Sequence, residues 1–194
     1  MKIDIRSLTY EEIEIFFINN NEKKFRAKQV YEWLWKKSAL SFSEMTNLSK
    51  SIREKLDNRF VINTLKQKFV QKSSDGTIKI AFKLFDDGII ESVLIPSKKR
   101  ITVCISTQVG CALTCKFCAT GRMKFSRNLN VGEIYDQVVA IRNIAKSEMD
   151  LNLTNIVIMG MGEPLLNYDN VLRTIKIITS EKTAIFVYML LHPK

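Results

Sequence analysis

All four cysteines of this 194-residue chain fall within fifteen residues: Cys104, Cys111, Cys115 and Cys118. Buried structural cysteines would be scattered along the chain. A disulfide framework belongs to short secreted proteins, and nothing at the N-terminus, Met1-Lys-Ile-Asp-Ile-Arg, reads as a secretory signal. Metal binding or thiol chemistry is left. Three thiolates spaced Cys111-x3-Cys115-x2-Cys118 in one loop can hold three irons of a [4Fe–4S] cluster and leave the fourth iron open to a ligand that is not protein. The competing arrangement is a closed zinc site with Cys104 as fourth ligand. Zinc knuckles usually pair two close cysteines with a second pair further away, and none follows Cys118. A redox dithiol of Cys115 and Cys118 is the third option.

The chain around that loop falls into three zones of different pattern. From about Ser7 to Asn58 the chain reads as helices: one over Glu11–Ile18 capped by Thr9 or Ser7, one over Arg26–Lys37 with Val30, Trp33 and Leu34 on its apolar stripe, and one over about Ser49–Leu56. From about Val61 to Ile105 apolar residues alternate with period two. The flanking runs Thr77–Leu84, Ile89–Ile95 and Arg100–Ile105 are rich in β-branched residues, and Asp75-Gly76 and Asp87-Gly88 supply hairpin turns. Beyond the cysteines the order becomes helix (131–146), buried strand (155–159) and helix (168–179), which signals a parallel α/β layout. Only about two βα units fit, so strand 155–159 is expected to leave an unpaired edge and to make the chain poorly soluble.

Charge narrows the partners. Thirty Lys and Arg against twenty Asp and Glu give +10, a balance that attracts polyanions, of which nucleic acid is the foremost, although a solvated lysine-rich surface would look the same. Aromatic and basic residues interleave from Phe25 to Lys37, which suits either RNA contact or a small helical core with solvated lysines. No apolar run approaches a membrane span, and a cytoplasmic location is expected.

The residues Cys104-Ile-Ser-Thr-Gln108-Val-Gly110-Cys111-Ala-Leu-Thr-Cys115-Lys-Phe117-Cys118, with the aromatic before the last cysteine, resemble the cluster loop of the radical S-adenosylmethionine superfamily. Gly160-Met-Gly162-Glu163-Pro164 resembles its Gly-Glu-Pro motif. Together with Phe25-Arg-Ala-Lys-Gln29 and Arg127-Asn-Leu129, they resemble the RlmN/Cfr family of RNA adenine methyltransferases from about residue 5 to residue 180. The resemblance implies an α/β fold: an N-terminal helical RNA-contacting domain (1–58), a small antiparallel linking sheet (59–105) and the first units of a partial (β/α)6 barrel (106–194). It implies a [4Fe–4S] cluster on Cys111, Cys115 and Cys118, with S-adenosylmethionine contacted at Gly162 and Glu163. Catalysis would rest on Glu91 as proton acceptor and Cys104 as the thiol that resolves a covalent enzyme–RNA adduct. The implied substrates are 23S rRNA and tRNA, methylated at adenine C2 rather than C8, with an electron donor such as flavodoxin and a monomeric enzyme.

The chain also departs from that pattern. No cysteine follows Cys118, so the methyl-carrying cysteine expected near the family C-terminus is absent, and the stretch 183–194 does not resemble the expected continuation. His192 therefore takes no family role. A C-terminally truncated chain, inactive alone, is the expectation; a non-catalytic iron–sulfur or RNA-binding remnant is the alternative.

Overall fold

A computed structural model describes residues 2–98, 100–180 and 185–189, and the chain divides into two compact units at Thr64/Leu65. His192 and most of the atypical C-terminal stretch lie outside the described residues.

The first unit is three helices tied by a short parallel pair of strands. β1 (Ile3–Asp4) lies beside β2 (Phe60–Val61), and between them run α1 (Tyr10–Asn19), α2 (Phe25–Trp35) and α3 (Lys50–Arg59). Thr9 and Glu12 form a reciprocal capping box at the start of α1, which satisfies two backbone N–H groups that the helix itself cannot. The helix ends at Asn19, and Asn21 turns the chain with φ 57°. On α2 the buried stripe is Ala27, Val30, Leu34 and Trp35, not Trp33. A straight 3.6-residue period places Trp35 over the core, while Trp33 is half-exposed, donates Nε1–H to Asn47 Oδ1 at 2.6 Å and carries Lys37 Nζ 3.7 Å from its ring centroid.

The second unit is built on one six-stranded sheet in the order β10-β9-β6-β5-β4-β3. Its antiparallel part is β3 (Lys66–Lys72), β4 (Ile78–Lys83), β5 (Ile89–Ser97) and β6 (Arg100–Cys104). After the two-residue strands β7 (Gln108–Val109) and β8 (Arg127–Asn128) come α4 (Val131–Met149), β9 (Asn155–Val157), α5 (Tyr168–Thr179) and β10 (Phe186–Tyr188). β9 pairs parallel with β6, so the antiparallel strands and the first barrel strands are one continuous sheet.

The turn at 86–88 departs in detail from the expected Asp-Gly pattern. Asp87, not Gly88, takes the positive φ (66°), a conformation that short polar Asp tolerates better than most residues. The free edge expected on β9 is also corrected: β10 pairs with it in parallel along Phe186↔Asn155 to Tyr188↔Val157, so the backbone groups of β9 are met on both sides. The expectation of poor solubility loses that footing.

Alternation divides the sheet into two faces. Ile78, Ile80, Phe82, Ile90, Leu94, Ile101, Val103 and Ile156 are buried on one face, where α4 packs. Lys79, Ala81, Glu91, Val93, Cys104 and Val157 lie on the other and are half-exposed. Among the described residues no helix is long and apolar enough to cross a membrane.

Candidate active site

The strand ends of β6 and β9 carry the site. Register places Cys104 between Val93 of β5 and Val157 of β9, with Glu91 two residues along β5 on the same face. Diagonal neighbours of this kind stand with Cβ atoms about 7 Å apart, which brings the carboxylate and the thiol into one work space. Glu91 also pairs with Lys79 across β4, Oε1 to Nζ 3.3 Å. The Cys104 thiol is pushed above its ordinary pKa by burial, with the Met159 backbone N–H acting in the opposite direction. It is therefore a protonated thiol at neutral pH.

Cys111, Cys115 and Cys118 sit on a separate excursion of the chain between β7 and β8, and all are free and half-buried. The loop is pinched at its base. Gln108↔Asn128 and Val109↔Arg127 pair across it, Ser126 N–H donates to Val109 O, and Gly110 (φ 73°) lies so close to Lys124 that a Cβ there would be 2.2 Å from the carbonyl oxygen. Arg127 locks the neck to the scaffold through Asp86 (Nε to Oδ2, 2.6 Å) and the buried Glu133 (Nη2 to Oε1, 2.8 Å). Those two carboxylates raise the pKa of the guanidinium still further, through hydrogen bonds to Glu133 and then Asp86. Within the loop, Leu113 N–H points at Cys111 Sγ (3.4 Å), and Phe117 is left 79% exposed.

Among the described residues no three His, Cys, Asp or Glu side chains form a group that could hold a metal ion. The donor set still fits a cluster by its chemistry: three free thiols on one short loop, one already receiving a backbone N–H. Cubane ligands attach to separate irons and need not meet at one point. Cys104, embedded in the sheet between two partners, is placed apart from that loop.

The turn 160–164 packs directly on the chain that leads into the cysteine loop. Thr107 N–H and Gln108 N–H both reach Met161 O (2.8 and 3.2 Å), and Met161 N–H donates to Ser106 Oγ at 2.9 Å. Glu163 is buried and accepts from Leu165 N–H at 3.2 Å, opening the short 3-10 turn Pro164–Asn167. Gly162 has φ 96°, and a Cβ on it would lie 2.5 Å from Gln108 Cβ. Its need for glycine therefore comes from the protein's own backbone crossing as well as from any ligand.

Two family models cover the chain in tandem: the ribosomal RNA large subunit methyltransferase N-terminal domain over residues 3–62, and the radical SAM superfamily over 105–190. A probable dual-specificity RNA methyltransferase RlmN of Cytophaga hutchinsonii is 60% identical over 180 residues, 92% of this chain and 49% of that protein. The chain belongs to the RlmN family. A similarly named Christiangramia forsetii protein is 56% identical over 179 residues, 92% of this chain and 51% of its own length. The crystal structure of a radical SAM methyltransferase from Sphaerobacter thermophilus matches with TM-score 0.80 and 38% identity, over 96% of this chain and 56% of that one. The mixed α/β fold with N-terminal helices and a partial radical SAM domain is thus that of the RlmN family, whose superfamily chemistry uses a [4Fe–4S] cluster and S-adenosylmethionine. The chain spans about half the length of the curated relatives it matches.

Two groups of polar residues gain meaning only from the structure. Gln137 of α4 is fully buried; its Oε1 accepts from Ser92 Oγ and Ser106 N–H, both at 2.8 Å, while Nε2 donates to Ser106 O at 3.0 Å. Asn167 donates to Thr107 O and Leu129 O at 2.9 and 2.8 Å. A polar residue on an apolar helix stripe was the visible sign of Gln137, but its partners Ser106 and Ser92 lie 31 and 45 residues away.

Proposed function

We propose that this chain is the front portion of a radical S-adenosylmethionine methyltransferase acting on adenine C2 of 23S rRNA and tRNA. The observation that carries the reading is the placement of Glu91 and Cys104 on one open sheet face beside the strand ends that lead to the three-cysteine loop and the Gly162-Glu163 turn.

In this reading Cys111, Cys115 and Cys118 hold the cluster, and Gly162 and Glu163 hold the methionine end of the cofactor. When bound, cluster and cofactor supply the one-electron chemistry that methylates an unactivated aromatic carbon. Glu91 accepts the proton lost from that carbon, and Lys79 Nζ lies 3.3 Å from the carboxylate. Cys104 resolves the covalent RNA adduct; burial holds it as the thiol until a base takes its proton. The domain boundaries follow the same reading: residues 1–58 contact RNA, 59–105 link, and 106–194 carry the cluster. Arg26, stacked 4.8 Å from the Phe25 ring centroid, and Lys37 over Trp33 offer cations and aromatic surface to an RNA strand.

All four cysteines of the sequence have roles in this scheme, so the methyl-carrying thiol must come from outside these 194 residues, and the chain alone does not complete methylation. The working enzyme is a cytoplasmic monomer reduced by a flavodoxin-like donor. The test is anaerobic cluster reconstitution followed by electron paramagnetic resonance of the reduced protein with and without S-adenosylmethionine. A [4Fe–4S] signal shifted by the cofactor supports the reading; stoichiometric zinc, or no iron, overturns it.

A further inference from the structure

Gln108 is fully buried four residues past Cys104, the last residue of β6, and its side chain touches three segments at once. Its Oε1 accepts from Glu163 N–H at 3.0 Å and from Ala112 N–H, the residue after Cys111, at 3.3 Å. Its Nε2 donates to Asn128 Oδ1 at 2.8 Å, and Asn128 Nδ2 in turn donates to Leu166 O at 2.9 Å. The direction of this chain is fixed at both ends, because two backbone N–H groups can face only the amide oxygen and a backbone carbonyl can face only an N–H. Gln108 is thus oriented uniquely, and it fills the space that the missing Cβ of Gly162 leaves open.

We infer that Gln108 is a positioning residue whose single amide oxygen sets the cysteine loop and the Gly162-Glu163 turn in register with each other. The inference rests on the proposed function for what those two segments hold, and on the hydrogen bonds alone for the coupling itself. Ala112 follows the first thiol directly, and Glu163 is the residue assigned to the cofactor. A shift of either segment is therefore felt by the other through one atom. Asn128 ties the same amide to the neck of the loop, so three segments, the furthest 55 residues from Gln108 in sequence, move as one.

Two variants of the full chain test this. Gln108→Leu keeps the bulk and removes both acceptor lone pairs and the donor. Gln108→Glu keeps oxygens for Ala112 and Glu163 and gives up only the bond donated to Asn128 Oδ1. The first readout needs no cofactor: amide hydrogen exchange in the metal-free protein. Ala112 and Glu163 are expected to be protected in the parent, to lose protection together by about tenfold in Gln108→Leu, and to regain it in Gln108→Glu. The second readout is S-adenosylmethionine affinity and the cofactor-induced change in the cluster's resonance signal at equal iron loading. Affinity should fall about tenfold in Gln108→Leu with iron content unchanged, and return to within about threefold in Gln108→Glu.

Exchange at Ala112 unchanged while Glu163 opens, or cofactor affinity unchanged at equal iron content, overturns the inference. Equal loss of iron and cofactor in both variants overturns it too, since that is what a merely structural residue would give. Should Gln108→Leu not fold, Asn128→Ala, which frees Nε2 and leaves the two accepted bonds, carries the same exchange measurement with both amides expected to open to a smaller, equal extent; opening of one alone is the overturning result. A parent chain that takes up no cluster breaks the proposed function and leaves the exchange measurement to decide the coupling.

Discussion

The two faces of the central sheet differ by one residue of register and by nearly everything else. Ile90, Leu94 and Val103 are wholly buried against the helical layer, whereas Glu91, Val93 and Cys104, their immediate neighbours in sequence, are half-exposed and carry the thiol and the carboxylate. Strand alternation makes this division automatic: burial falls on one face, and the other is left open to present polar side chains. Odd and even positions of β5 should therefore respond to mutation in different observables.

The largest effect should come from Ile90→Ala. It removes a fully buried side chain from the helix-covered face and should cost about 2–5 kcal/mol, read as a shift of the denaturant midpoint without a change in slope. Val93→Ala, three residues on and half-exposed, should cost less than about 1.5 kcal/mol in the same measurement. Equal losses at the two positions would break the two-face picture.

Between these lies a pH effect on Cys104. Burial raises its thiol pKa, so the folded protein favours the neutral form. The stability this contributes is present below the ordinary thiol pKa and lost as pH rises through the folded value. Alkylation by iodoacetamide, followed by peptide mass spectrometry, should be slower at Cys104 than at a free cysteine near pH 8 and should accelerate above the ordinary range; a rate matching free cysteine would remove the buried-thiol account.

The smallest effect should be that of Lys79→Ala. The Lys79–Glu91 pair is about half-exposed on both sides, and such pairs contribute roughly 0–1 kcal/mol after solvent screening. Its thermal midpoint should barely move. A large loss would mean that the open face also holds the fold together.

Much of this was legible beforehand, for identifiable reasons. The helices at 10–19, 131–149 and 168–179 follow from apolar spacing and caps, because those signals are local. The three-cysteine loop was visible because ligand spacing is written in consecutive residues. What misled was also local: Trp33 shares the apolar character of Trp35, and only packing decides which of the two turns inward. The β9 edge was expected to be open because only about two βα units fit, yet the three extended residues Phe186–Tyr188 suffice to pair with it.

By itself, then, the sequence determined the elements, the family and the spacing of the three cysteines in one loop. Those depend on type and spacing over a few positions. Tertiary structure alone decided that Glu91 and Cys104 share a face, that Arg127 closes the neck of the cysteine loop against Asp86 and Glu133, and that Gln108 joins that loop to Glu163. Each of those links is a contact between side chains or strands well separated in sequence, whose partners are chosen by strand register and by the demand that buried polar groups be satisfied, and neither is encoded locally.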